Sequence, residues 1–214
     1  MRSPEMRATS PRAVAIVAVA AALVFGCDST DTRSASADSV AVTSAAVTPA
    51  DAFLSALRSH CDKAYEGRLI DPQPADSAMK GQRLVMHVRG CGDTVRIPFH
   101  VGENRSRTWV FTRTATGVRL KHDHRHEDGS EDRVTQYGGD SREGGTASSM
   151  AFAADSATAA LIPAASTNVW TVEITPTRFV YQLRREATDR RFRVEFDLAT
   201  PVPVPPAPWG SSPK

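Results

Sequence analysis

Between Gln82 and Leu198 apolar side chains recur at every second position, in short runs separated by tight turns. Leu84, Met86 and Val88 form one such run; Val95, Ile97, Phe99 and Val101 form the next. Trp109 and Phe111 continue the pattern, then Trp170, Val172 and Ile174, then Phe179, Tyr181 and Leu183. The last run, Phe192, Val194, Phe196 and Leu198, alternates with Arg191, Arg193, Glu195 and Asp197. A period of two belongs to strands, whose side chains point alternately to opposite faces. Each run ends at a turn signal such as Gly90-Cys91-Gly92-Asp93 or Gly102-Glu103-Asn104. Short connections of this kind join antiparallel neighbours. The expectation is a mainly β domain of about nine to ten strands, an antiparallel up-and-down meander whose apolar faces are buried by closure into a barrel. A β-sandwich buries them equally well and is the structural alternative.

One short helix precedes the strands. Thr48 is a capping residue, Pro49 suits the first turn and Asp51 favours the positive helix end. Phe53, Leu54, Leu57 and Cys61 fall at helical spacing, which gives the helix one apolar face. A short first strand is expected over 64–70, and 71–79 reads as a loop with room for a helical turn. Met150–Ala153 is a strand candidate. Ala159–Ile162 is another strand candidate, and the alanine-rich stretch between the two suits a helical turn, as Asp155-Ser156-Ala157 permits.

The histidines concentrate in one stretch. Read as a strand, Val118, Leu120, His122, His124 and His126 share a face whose apolar start points inward. Asp128-Gly129 then signals a hairpin turn, with return through Arg133–Tyr137 and a stop at Gly138-Gly139. Imidazoles two residues apart on a strand can converge on one zinc or other divalent transition metal ion, with a ligand such as Asp128 or Asp132 completing the set. Two other readings stand beside this one: a solvated polar strand end, and a pH-responsive cluster. His87 and His100 alternate with the apolar residues of their runs and are expected on the outer, solvated face. Arg105, Arg107 and Arg113 flank Trp109 and offer either an anion contact or a solvated strand face.

The sequence lacks the His-Glu-x-x-His zinc-peptidase motif, the Gly-x-Ser-x-Gly elbow, a phosphate loop and a dinucleotide fingerprint. Lys and Arg number 26 against 24 Asp and Glu, and they are spread along the chain, so no nucleic-acid partner is implied.

The N-terminus carries Arg2, Arg7 and Arg12, then an apolar run from Ala13 to Phe25. That is the layout of a secretory signal and is short for a membrane span, which needs about 20 apolar residues. The run ends Leu23-Val24-Phe25-Gly26-Cys27, which resembles a bacterial lipobox. The resemblance implies removal of residues 1–26, lipidation of Cys27 and a membrane partner reached through that anchor. It places the protein in the cell envelope, periplasmic or on an extracytoplasmic membrane face. Asp28 resembles an inner-membrane retention signal. Residues 27–47, rich in Ser, Thr, Ala and Asp, read as a flexible tether. With Cys27 lipidated, Cys61 and Cys91 remain, either as a disulfide favoured by an oxidising compartment or as two buried thiols. The domain is expected over 48–199. The Pro-rich tail, 200–214, favours polyproline II.

The order of a leading helix, a short strand with Tyr65-Glu66-Gly67 and then a meander resembles the calycin barrels, such as lipocalins and nitrobindin-like proteins. The resemblance implies a barrel with an internal cavity and carries over no functional residues. Three functions follow as expectations. The first is a non-enzymatic envelope module that binds a small ligand, a metal ion or a partner; a ligand would lie against Trp109, Phe111, Phe179 and Phe192. The second is a metal-dependent hydrolase built on His122, His124 and His126, with Glu127 or Asp132 as base. The third is a structural envelope protein whose barrel is filled by its own side chains.

Overall fold

The computed structural model describes residues 46–211. The expected leader, the lipidation site Cys27 and most of the tether lie outside them. Helix α1 (Pro49–Arg58) starts as its sequence dictates: the Thr48 hydroxyl accepts the Asp51 N–H, and Pro49 fills the first turn. Phe53, Leu54 and Leu57 are fully buried. The helix ends before Cys61, which instead forms a disulfide with Cys91 across 6.1 Å between Cα atoms. That bond fastens the turn after α1 to the short hairpin strand β3.

Eleven strands follow among the described residues. They are β1 (Ala64–Leu69), β2 (Leu84–His87), β3 (Gly90–Cys91), β4 (Thr94–Val101), β5 (Asn104–Arg113) and β6 (Val118–His124). Then come β7 (Tyr137–Asp140), β8 (Ser149–Ala153), β9 (Asn168–Thr175), β10 (Arg178–Arg185) and β11 (Arg191–Val202). The sheet runs β7-β6-β5-β4-β2-β1-β11-β10-β9-β8, with β3 paired to β4. All of its ladders are antiparallel. The first strand joins the last, so the seam of the barrel falls mid-chain, between β7 and β8. A bridge between Ser141 and Phe152, and the Arg142 N–H donating to the Ala151 carbonyl at 2.7 Å, nearly close it.

Gly138 and Gly139, expected to stop the strand, lie inside β7. A Cβ on Gly139 would stand 1.8 Å from the Ala153 carbonyl oxygen, so only glycine lets the seam come together. The helical turn expected at Asp155-Ser156-Ala157 forms and runs on as α2 (Ser156–Leu161), capped by the Asp155 carboxylate, so the strand expected over Ala159–Ile162 is corrected to helix. The buried Thr158 hydroxyl donates to the Gly138 carbonyl at 2.8 Å and accepts the Gly138 N–H at 2.7 Å, covering the free edge of β7.

The tail departs from its expected boundary. β11 continues to Val202, with Pro201 opposite Tyr65 beside an irregularity at Glu66 that accommodates a residue without an N–H. Beyond it the chain crosses the outer wall: the Trp209 N–H donates to the Arg105 carbonyl, and the Arg105 guanidinium donates to the Ala207 carbonyl. His87, which lines the cleft under this strap, and His100 are each only 4% exposed. The expectation that these two imidazoles are solvated is therefore corrected. They do face outward, but the strap crosses this part of the wall.

The barrel interior is divided. Toward α1 it is solid: Phe111 meets Phe53 and Phe152 edge-on or tilted, at centroid distances near 6 Å. The opposite end keeps space.

Candidate functional site

At the end away from α1, a pocket of about 310 Å³ opens between the strand ends. Its position follows from the strand alternation. The inward residues nearest this end are Arg107 and Trp109 of β5, His122 and His124 of β6, Trp170 of β9, Tyr181 and Arg185 of β10, and Phe192 of β11. A two-turn 3-10 helix over Pro74–Met79 and a single turn over Pro163–Ala165 supply the rim, through Asp76, Met79 and Ala165.

The floor is an aromatic stack. Trp109 lies nearly parallel to Tyr181 at 4.4 Å and to Phe99 at 4.9 Å, and it rests on Phe179 at 5.8 Å. Such offset pairs are held by dispersion and quadrupole terms. Of the four aromatic residues expected to face a ligand, Trp109 and Phe192 line the pocket. Phe179 lies beneath it and Phe111 lies deeper, under α1.

The histidine row divides into three environments. His122 is 3% exposed and has both ring nitrogens engaged. Nδ1 stands 3.0 Å from the Tyr137 carbonyl oxygen and Nε2 stands 2.6 Å from the Tyr181 hydroxyl. A carbonyl can only accept, so Nδ1 carries the proton, and Nε2 accepts from Tyr181. Burial pushes the imidazole down to about 3 and the Tyr181 phenol well above its ordinary value, which keeps both groups neutral. His124 Nε2 and the Tyr137 hydroxyl share a hydrogen bond of 3.1 Å. Burial first, and the Arg107 guanidinium second, push His124 down to about 4. Burial drives the Tyr137 phenol up to about 12. Tyr137 also stacks on His122 at 4.4 Å. His126 lies past the end of β6, exposed, with its N–H donating to the Ser130 carbonyl.

The three imidazoles therefore do not face one point. Among the described residues no three His, Cys, Asp or Glu side chains gather as a metal-holding set. The carboxylates expected to complete such a set or act as a base lie elsewhere. Glu127 lines the cleft under the tail. Asp128 accepts from the backbone and hydroxyl of Ser130, and Asp132 accepts the Val134 N–H.

Of the arginines around Trp109, only Arg107 lines the pocket. Arg113 pairs with Asp51 at the start of α1, and Arg105 holds the tail. Two further arginines stand at the mouth. Arg190 is paired at 2.6 Å with Asp76, a carboxylate only 3% exposed. Arg185 donates to the Asn168 side-chain oxygen at 3.0 Å, and Arg107 to that of Asn104 at 3.0 Å. Among the described residues neither of these two has a carboxylate within ion-pair distance. Trp170 and Tyr181 were recognisable as inward positions of their runs. Asp76, Arg190 and Tyr137 had no signal in the chain, because the first two meet through a contact 114 residues apart and the third returns through an irregular segment. Compared with known proteins, the chain matches no family model, no curated protein and no solved structure.

Proposed function

We propose that the protein is an exported, lipid-anchored envelope module that binds a small molecule non-covalently in the mouth of its barrel. The observation that carries this reading is the pocket. It has the size of a small-ligand site, it is floored by aromatic rings, and arginine, histidine and tyrosine side chains surround that floor. Its ionisable side chains favour holding over chemistry. His122 is neutral with both nitrogens engaged, His124 is tied to Tyr137, and Asp76 is spent on Arg190. The export half rests on the leader and on Cys27, with the Cys61–Cys91 disulfide consistent with an oxidising compartment.

The test is intrinsic tryptophan emission of the full chain in detergent, titrated with 2-naphthamide, a flat neutral aromatic probe. Trp109 and Trp170 line the pocket, so occupation should give saturable quenching. Ala75 is exposed at the rim, and Ala75→Phe should narrow the mouth and weaken binding at least tenfold with the fold intact. Unsaturable quenching, or a variant that binds as the parent does, counts against the pocket.

A further inference from the structure

Resting on that reading, we infer that the natural ligand is a flat aromatic carboxylate, its ring over the aromatic floor that Trp109 and Trp170 belong to and its acid group on the guanidinium of Arg107 or Arg185. Three observations lead there. The first is shape. The lower barrel is filled by Phe111, Phe152 and Phe179, all fully buried, so no long acyl chain can thread past the floor. What remains, about 310 Å³ with indole and phenol walls, suits a compact ring system that can stack.

The second is charge. Arg190 is neutralised by Asp76, but Arg107 and Arg185 are satisfied only by the neutral amides of Asn104 and Asn168. Each guanidinium has five N–H donors in a planar fork, and those contacts use one apiece. The third is placement. In the ring order β5 and β10 stand on opposite sides of the barrel, and Arg107 and Arg185 both line the pocket between them. Burial lowers the Arg107 affinity for its proton, a sign that its charge is under-solvated and gains from an anion. The neighbouring His122 and His124 are neutral near pH 7 and add no competing charge. A carboxylate matches the guanidinium fork in two parallel bonds.

The test compares 2-naphthoate with 2-naphthamide on the full chain at pH 7.5, by calorimetry. The two probes share their rings and differ in charge. The acid should bind at least about tenfold tighter, the size of one charge-assisted hydrogen bond in a partly dry site. Arg107→Gln and Arg185→Gln should each weaken the acid more than the amide and so reduce that preference. Arg107→Lys should recover part of it, because it keeps the charge and loses the fork. Equal binding of acid and amide overturns this inference and leaves the pocket reading standing. No binding of either overturns both. Should a variant fail to fold, the ratio in the parent protein still decides.

Discussion

The Tyr181 hydroxyl sets the chemistry of the pocket. Its proton goes to His122 Nε2, and the imidazole proton goes to the Tyr137 carbonyl, so one phenol fixes a tautomer and a loop at once. Removing that oxygen leaves a buried imidazole nitrogen without a donor, which costs about 1–3 kcal/mol. Tyr181→Phe should therefore lower the melting temperature by about 2–10 °C for a domain of this size. His122→Phe combined with Tyr181→Phe removes donor and acceptor together and should recover part of the loss. A double variant that melts at the sum of the two single losses would show that the bond carries no coupling. The sequence marked His122 and Tyr181 as inward residues of two runs. It could not mark them as partners, because their contact joins strands 59 residues apart.

At the scale of elements, the alternation decided nearly everything that repeats. Strands over 84–124 and 169–198 lie where the period of two placed them, and α1 begins at its Thr48 cap. What escaped the sequence is what only closure demands. Gly138-Gly139 has the local chemistry of a stop. It is strand because β7 must approach β8 more closely than any side chain allows. The same holds for the tail, whose prolines exclude a sheet interior but not a strap laid over the outer wall. Gly139→Ala should therefore act on the seam itself. A methyl group 1.8 Å from the Ala153 oxygen forces β7 away, at a cost of about 3 kcal/mol or more. Gly92→Ala, whose methyl group meets nothing, should be nearly silent. Amide hydrogen exchange separates a local from a general loss. The Arg142 and Asp155 amides, which donate across the seam, should exchange faster in Gly139→Ala. Those in the β10–β11 ladder should be far less affected. Uniform acceleration would mean that the seam opens only with the whole barrel.

Over the whole molecule, the barrel is held by burying groups that water would charge. His100, His122 and His124 are all pushed below the ordinary histidine value, to about 4, 3 and 4, and burial is the leading cause for each. In the unfolded chain they titrate near 6.5. Between the two ranges the unfolded state binds more protons than the folded one, so stability rises with pH there and falls as acid is added. The contribution is complete above about pH 7 and is lost progressively as the pH falls through 6.5 toward 4. For His122, fully shielded between Tyr137 and Tyr181, the loss at pH 5 is about 2 kcal/mol, since each unit of displacement is worth 1.36 kcal/mol. The carboxylates of Asp140 and Asp155, held low with Arg119 and Lys121 as partners, act in the same direction at still lower pH. Their pairs are partly exposed and weigh less. Urea unfolding of the full chain should then show midpoints nearly constant from pH 8 to 7 and falling steeply from 6.5 to 5. His124→Gln, which keeps a polar side chain beside Tyr137 but cannot take up the proton, should flatten that fall by about a quarter to a third, since burial also lowers His60 and four imidazoles share the effect. A profile flat to pH 5 would mean that these rings accept protons without unfolding the barrel, and the closed, dry wall around His122 would have to open to water first.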